Sequence, residues 1–353
     1  YVAEYYRFYA GLADKMDGTT LSIDKADMET WIKREPVGVV AAIIPWNSQL
    51  FLSAVKIGPA IAAGCTVVVK AAEVAPTPLL GFAELVHEAG FPAGVINVIT
   101  GFAESCGTVL TQHTQVDHIA FTGGADTARH IIRNSAENLA STSLELGGKS
   151  PFIVFADADL ESAANAQVAA IFSASGQSCV AGSRLLVDEK IKDAFIEKLT
   201  SKVRGIVIGC PQQQETQFGP LCTGRQKSNI EQVVSRSIEQ GARLVIGNHP
   251  IDQPGFYYPP TILDCSAVPD AESVVQELFG PVLSILTFKD EAEAIRLANG
   301  TEYGLAAGVF TQNLTRAHRV TRRLRSGVVW LNTYRVVSPL APFGGYGKSG
   351  FGR

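Results

Sequence analysis

The chain has little of what would mark a nucleic-acid binder, a membrane protein or a metalloprotein. Basic residues are outnumbered, 30 Lys+Arg against 34 Asp+Glu, for a net charge of −4. A general nucleic-acid binder carries the opposite bias. Pro45, Gly58 and Gly64 break the longest apolar runs, and none reaches the roughly 20 residues a membrane helix needs. The six cysteines stand at 65, 106, 179, 210, 222 and 265, no two closer than 12 residues. Zinc-binding pairs are therefore absent, and free thiols in a reducing, cytoplasmic compartment are expected. The six histidines form no H-x-x-x-H pair. No G-x-G-x-x-G follows an expected strand, so the usual dinucleotide fingerprint is missing. Gly147-Gly148-Lys149-Ser150 looks like the tail of a P-loop, but Ser143 occupies the required upstream glycine position and Pro151 opens a strand rather than a helix. No secretory leader is expected from the opening residues, where Glu4 and Arg7 lie among tyrosines. The chain opens on Tyr1 and stops at Gly350-Phe351-Gly352-Arg353, which leads us to expect a piece of a longer protein.

What is present is the composition of a packed globular protein, 46% hydrophobic and 18% charged over 353 residues. That length suggests about two domains. From residue 37 buried strands alternate with helices. Strands are expected at 37–44, 65–70, 95–99, 116–121 and 142–146, with helices at 50–63, 77–88 and 125–139 between them. This order implies a parallel, doubly wound sheet, whose ligands sit at the carboxyl ends of the strands. A second alternation begins at Phe152, with a helix that Asp157 or Asp159 can cap and that runs to about Ser175, strands at 184–187, 282–288, 306–311 and 327–332, and a charged helix at 191–203. The boundary is placed near Gly147-Gly148. Residues 19–32 read as an exposed hairpin turning near Lys25-Ala26-Asp27.

Several short motifs fall at strand ends, and each has a plain alternative. Phe121-Thr122-Gly123-Gly124 joins a strand to a helix, where free N–H groups suit a pyrophosphate; a simple glycine turn is the other reading. Lys70 and Glu73 follow the second strand, where an acid can hold ribose hydroxyls, or they are exposed loop charges. Cys179 in Gly176-Gln177-Ser178-Cys179 is a nucleophile or a small buried hydrophobe. Glu145, flanked by Leu144 and Leu146, should have a raised pKa that suits a general base, or it pairs with Lys149 or a backbone amide. Asn47 of Pro45-Trp46-Asn47 ends the first strand at the ligand edge. Five arginines within Arg316 to Arg325 make a basic helix, a solvated face rather than a nucleic-acid surface given the acidic net charge.

Taken together, seven motifs resemble the NAD(P)-dependent aldehyde dehydrogenase superfamily in its order: Pro45-Trp46-Asn47, Lys70-x-x-Glu73, Phe121-Thr122-Gly123, Glu145-Leu146-Gly147-Gly148-Lys149, Gly176-Gln177-Ser178-Cys179, Glu277-Leu278-Phe279-Gly280-Pro281-Val282 and Pro342-Phe343-Gly344-Gly345. The resemblance covers essentially the whole chain. Glu145 precedes Cys179 by 34 residues, the separation expected of the hydrolytic, non-acylating members. It implies an α/β fold: a doubly wound parallel-sheet NAD-binding domain, a second α/β catalytic domain and a small β-hairpin oligomerisation element. Residues 1–18 would end an N-terminal portion of the cofactor domain, 19–35 form the hairpin, 36–147 the NAD-binding domain, 148–347 the catalytic domain, and 348–353 the start of a truncated C-terminal tail. The absent parts would be roughly the first hundred residues of the family's chain and a short tail.

By the same resemblance, Cys179 attacks a small-molecule aldehyde, the Asn47 amide and the Cys179 N–H hold the oxyanion, and Glu145 activates the water that hydrolyses the thioester to the acid. Cofactor contacts would come from Ile44, Pro45, Trp46, Lys70, Glu73, Gly101, Gly123, Gly124, Leu146, Glu277 and Phe279, with NAD favoured over NADP because Glu73 would repel a 2′-phosphate. Trp46, Leu50, Ser178, Val180, Val337 and Phe343 would contact the substrate, with Phe51 in the tunnel wall. No metal is implied, and a homodimer or homotetramer is, without a nucleic-acid or membrane partner. The chain departs from the pattern at Gly124 (often Ser), Ala72 (often Pro or Ser), Ala103 (often Gly) and Val337 (near an often aromatic position), while Arg335 leaves acidic aldehydes open. A CoA-acylating semialdehyde dehydrogenase and a thiol hydrolase or acyltransferase are the alternatives. The former tends to lack an acid at position 145, and the latter needs a histidine base that no motif supplies.

Overall fold

The computed structural model describes all 353 residues, which divide into two compact units. The first comprises residues 1–145 with 339–342 and 352–353. It opens with helix α1 (Val2–Ala10), followed by the hairpin of β1 (Thr19–Leu21) and β2 (Thr30–Ile32), which pair antiparallel. The alternation then gives β3 (Val39–Ile43), α2 (Gln49–Ala62), β4 (Thr66–Lys70), α3 (Thr77–Glu88), β5 (Ile96–Ile99), α4 (Thr108–Gln112), β6 (His118–Thr122), α5 (Ala125–Asn138) and β7 (Ser141–Glu145). The five strands from β3 onward pair in parallel in the order β7-β6-β3-β4-β5. Val40, Ala42, Val67 and Val69 alternate onto one face, where they pack with Ile57 of α2 and Leu79 of α3. This period of two is what a parallel strand covered by helices requires.

Register decides where the marked residues fall. Ile43 lies opposite both Lys70 and Phe121, Lys70 opposite Ile99, and Thr122 opposite Glu145. Because all five strands run the same way, the segments that follow them, at Asn47, Glu73, Gly101 and Gly124, leave from one edge together with Glu145. The crevice rule for open α/β sheets applies to that edge.

The second unit comprises residues 146–338 and 343–351. Its elements are β8 (Pro151–Val154), α6 (Leu160–Phe172), β9 (Arg184–Asp188), α7 (Lys192–Arg204), α8 (Gly224–Glu239), β10 (Arg243–Ile246), β11 (Thr261–Asp264), α9 (Glu272–Val275), β12 (Val282–Phe288), α10 (Glu291–Ala298), β13 (Ala306–Phe310), α11 (Leu314–Thr321) and β14 (Val328–Leu331). The sheet order is β10-β11-β12-β9-β8-β13-β14, parallel except for the β10 edge. Its two faces bury separate cores. Ile153 and Leu186 join Leu263 and Phe288 on one side, while Phe152, Val154, Leu185 and Val187 join Phe195 and Ile285 on the other.

The basic helix is shorter than its arginine run. Asn313 caps α11 by accepting from the Arg316 N–H, and the helix ends before Arg322. Further on, the Arg325 N–H is taken by the Asn299 side chain. Arg316 and Arg319 are paired with Asp157 and Glu291, as a solvated structural face requires. Between residues 204 and 281 the structure adds α8, β10, β11 and α9, for which the sequence pattern carried no expectation.

Arg184 ties β9 to two other segments. Its fully buried guanidinium donates to the carbonyls of Lys149, Leu297 and Ala298 at 2.8, 2.7 and 2.7 Å. Removing a partner from a buried polar group costs about 1–3 kcal/mol per group left unsatisfied. Arg184→Met should therefore lower unfolding stability by at least about 3 kcal/mol on the same basis, measured as the loss of urea midpoint at unchanged slope.

Candidate active site

In the first unit the strand edge collects groups suited to a dinucleotide and to proton transfer. Gly124 precedes α5 in extended conformation and offers no capping side chain, so the first N–H groups of this 14-residue helix have no capping bond. A Cβ built on Gly124 meets nothing within 4 Å, whereas one on Gly123 would strike the Phe121 ring at 2.4 Å. The Thr122 hydroxyl beneath them is buried without a hydrogen-bond partner. Gly101 adopts φ 155°, and a side chain there would meet Cys106 at 2.7 Å. Lys70 is buried; its ammonium donates to the Ala71 carbonyl and reaches the half-exposed Glu73 carboxylate at 3.4 Å. Ile44 is buried and donates to the Lys70 carbonyl, and Pro45, Trp46 and Asn47 follow it partly buried. An orphaned hydroxyl, open space over a capless helix start and an acid at the neighbouring strand end fit the pyrophosphate and ribose of NAD.

Glu145, at the end of β7, is the most unusual group of this unit. One of its carboxylate oxygens is buried with no partner. Burial pushes its pKa up to about 7, against the opposing charges of Lys56 and Arg353. Lys56 is itself buried in α2, and burial draws its ammonium down to about 8. The charges acting on Glu145 are those of Lys56 and Arg353, whereas Lys149, the alternative partner foreseen for it, feels those of Arg184, Glu277 and Cys265. Motif reading missed Lys56. Its signal is a single charge inside the apolar run Leu50-Phe51-Leu52-Ser53-Ala54-Val55-Lys56-Ile57. Among the substrate candidates of this unit, Leu50 is exposed on α2. The Phe51 ring packs on Tyr1 and Tyr5 at 5.5 and 5.1 Å.

In the second unit the Cys179 loop is pinned on several sides. It follows three residues with positive φ, Ala174, Ser175 and Gly176, two of them non-glycine. Such strain persists only where surroundings over-determine it. Ser175 donates to the Gly219 carbonyl at 2.8 Å, the Gln177 side chain accepts from the Cys222 N–H at 2.8 Å, and the Tyr334 hydroxyl donates to the Val180 carbonyl at 3.0 Å. A Cβ on Gly148 would lie 2.7 Å from the Cys179 carbonyl, and one on Gly176 would run into Gly280 and Pro281. The six cysteines are free, and Cys179 is partly buried.

The Glu277 loop packs against the same glycines. A Cβ on Gly147 would overlap the Glu277 carboxylate, which accepts from the Gly148 N–H at 2.9 Å. Burial raises Glu277 to about 7, and burial together with the Arg184 charge lowers the fully buried Lys149 to about 7, each acid and base opposing the other's shift. Gly148, Lys149, Ser178, Glu277 and Phe279 line one small cleft. Leu146 is buried and donates to the Ser349 carbonyl at 3.0 Å. Val180 and Val337 pack at the margin of the core around Phe152, and Phe343 is partly buried.

The sequence profile of the aldehyde dehydrogenase family matches residues 1–353. The chain belongs to the aldehyde dehydrogenase family. It is 69% identical over 353 residues to (Z)-2-((N-methylformamido)methylene)-5-hydroxybutyrolactone dehydrogenase of Acinetobacter baylyi, covering 100% of this chain and 72% of that one. It is 43% identical over 357 residues to betaine aldehyde dehydrogenase of Bacillus subtilis, with the same two coverages. Among solved structures, betaine aldehyde dehydrogenase of Staphylococcus aureus in complex with NAD+ superposes with a TM-score of 0.97 at 39% identity, over 100% of this chain and 70% of that one. PnpE in complex with nicotinamide adenine dinucleotide gives 0.97 at 41% identity, over 100% and 72%. The protein is an NAD(P)-dependent aldehyde dehydrogenase that oxidises aldehydes to acids, with the mixed α/β, parallel-sheet fold of its relatives. No helix is long and apolar enough to cross a membrane.

The raised pKa of Glu145 has a stability consequence. An ordinary value of 4.5 unfolded and about 7 folded means that the folded state keeps a proton the unfolded chain has already lost. Stability therefore falls as pH rises from about 4.5 to 7. The difference in unfolding free energy between wild type and Glu145→Gln should shift against the wild type across that window, by up to about 3 kcal/mol. Urea titrations at pH 5, 6, 7 and 8 measure it. A difference that stays flat would mean that Glu145 is ionised at all these values.

Proposed function

We propose that this dehydrogenase works by the hydrolytic route, with Cys179 as nucleophile and Glu145 as the base that releases the acid. The observation that carries the reading is the Glu145 carboxylate: a buried oxygen without a partner, on a group held near neutrality by burial. A general base works best when its pKa lies near the working pH. A CoA-acylating enzyme would have no use for it, because a thiol rather than water takes the acyl group.

Under this reading the Cys179 thiolate adds to the aldehyde carbon and the carbonyl π electrons move to oxygen. The Asn47 amide and the Cys179 N–H stabilise that oxyanion. NAD, when bound, supplies the hydride acceptor. The acyl group is left as a thioester on Cys179; Glu145 removes a proton from water as the water oxygen attacks, the C–S bond breaks, and acid and thiolate result. Thr122, Gly123, Gly124 and Gly101 would hold the pyrophosphate side of the dinucleotide; Lys70 and Glu73 the adenosine ribose; Ile44, Pro45, Trp46 and Leu146 its flanks; and Glu277 and Phe279 the nicotinamide ribose. Glu73 would favour NAD over NADP, a preference softened by the Lys70 ammonium beside it. Trp46, Leu50, Ser178, Val180, Val337 and Phe343 would line the aldehyde's path. The substrate would belong to the class handled by the Acinetobacter relative. A 5-hydroxybutyrolactone is the ring-closed form of a 4-oxo acid: its ring oxygen returns to the carboxylate and the lactol carbon to an aldehyde.

We further propose a homodimer or homotetramer in the cytoplasm. The free thiols agree with a reducing compartment. The hairpin of β1 and β2 leaves Trp31, Met28, Ile32, Leu21 and Ile23 exposed, as an assembly element would. Trp31→Glu should shift size-exclusion elution toward the monomer; unchanged elution would remove the hairpin from the interface.

The catalytic reading is tested with Glu145→Gln, which keeps the shape and removes the base. It should form NADH once per active site and then stall, at least a hundredfold below wild-type turnover if general-base catalysis contributes roughly 10²–10⁴. Stopped-flow absorbance reads the burst and mass spectrometry the acyl group on Cys179. Cys179→Ala should form no NADH at all. Steady turnover in Glu145→Gln would make Glu145 structural and require another base.

A further inference from the structure

The loop after β14 carries a feature that hydrolytic chemistry leaves unused. Arg335 sits at φ 67°, in the left-handed region that a non-glycine residue adopts at a cost. Its neighbour Tyr334 is buried, and the hydroxyl that bonds the Val180 carbonyl at 3.0 Å ties the loop to the residue after Cys179. Two residues beyond Tyr334, the Val336 carbonyl accepts from the Trp330 indole at 2.6 Å. Arg335 is thus held from both sides, and its charge is close enough to interact with both Tyr334 and Cys179.

The guanidinium itself is not satisfied. Nε and Nη2 of Arg335 are both buried from solvent and have no hydrogen-bond partner. These two atoms form one edge of the guanidinium fork, the edge that meets a carboxylate through two parallel bonds. The same chain uses that edge twice on its surface: Arg236 grips Glu272 through Nε and Nη2, and Arg319 grips Glu291 in the same way. A desolvated guanidinium edge without a hydrogen-bond partner is costly, so its presence beside the nucleophile calls for a partner that arrives with the substrate.

We propose that Arg335 is a specificity-determining residue that receives a carboxylate on the substrate, making this a dehydrogenase of aldehydes that carry an acid group, the open-chain 4-oxo acids among them. The proposal rests on Cys179 as the nucleophile. The ligand edge is planar and offers two parallel N–H bonds, which matches a carboxylate. It also accounts for a cyclic lactone form: ring opening releases the anion for Arg335 and the aldehyde for Cys179 together.

The test compares 4-oxobutanoate with butanal, equal in carbon count and differing by the acid, in wild type, Arg335→Gln and Arg335→Lys with NAD present. The wild type should prefer the acid. In Arg335→Gln the ratio of kcat/KM for acid over neutral aldehyde should fall by about a hundredfold, with the loss mainly in KM, and Arg335→Lys should recover part of it. A second readout avoids turnover: succinate should slow alkylation of Cys179 by iodoacetamide in the wild type and lose this effect in Arg335→Gln. The proposal is overturned if the wild type does not prefer the acid, if the ratio is unchanged in Arg335→Gln, or if succinate protects both proteins equally. Equal losses on both aldehydes, with slower alkylation of Cys179 in the variant without succinate, would instead assign Arg335 to stabilising the thiolate. Failure of the underlying reading shows separately, as NADH formation by Cys179→Ala. If Arg335→Gln does not fold, Arg335→Lys and the protection assay carry the decision.

Discussion

The second unit depends on two missing side chains. Gly147 and Gly148 lead into β8, and a Cβ on the first would overlap the Glu277 carboxylate while one on the second would press on the Cys179 carbonyl. Without those Cβ atoms the Glu277 loop and the Cys179 loop can both reach the start of the same strand, and the Gly148 N–H is free to meet Glu277. Two loops nearly a hundred residues apart in sequence are thereby set against one backbone. The neighbouring contacts follow from the same closeness: Gly176 against Gly280 and Pro281, and Gly280 against Ile230. Glycine at these positions is a packing requirement before it is a motif.

Both units also bury charge where a core of this composition would otherwise exclude it. Glu145 with Lys56, and Glu277 with Lys149, are acids and bases brought toward neutrality because desolvation outweighs the mutual attraction. The purely structural case is Arg184, each of whose three guanidinium nitrogens donates to a carbonyl. The contrast separates the roles. A buried charge that serves the fold has its bonds made, while Glu145 and Arg335 keep polar atoms in reserve.

How much was legible depended on whether residues acted through the backbone or through space. The strands of the first unit were legible because period-two apolar runs such as Val67 and Val69 force a single reading, and the parallel order then lined up Asn47, Lys70, Gly124 and Glu145 at one edge. Helix α8 was missed although its buried residues Ile230, Val233, Val234 and Ser237 recur at helical spacing with polar residues between them. So was the end of α11, which a side chain elsewhere, Asn299, helps to define. Phe51 packs with two other rings, Tyr1 and Tyr5, a contact that no spacing rule announces. Lys56 and Tyr334 depend on three-dimensional partners and carry no spacing rule.

This division has a consequence for how such an enzyme acquires its substrate. The chemistry needs a thiol, a carboxylate and backbone turns at fixed places, and those leave motifs because each fixes local geometry. Selectivity needs only one correctly placed group whose partner is absent from the chain. Such a group cannot be recognised by pattern, because half of the interaction belongs to another molecule. It is recognised by an imbalance: a desolvated donor edge with nothing to donate to, on a strained backbone fastened at both sides. Arg335 meets that description through Nε, Nη2, φ 67° and the bonds of Tyr334 and Val336. The cost of leaving it unpaired is borne by the free protein and relieved when an anion binds, so binding and discrimination arise from the same desolvated charge.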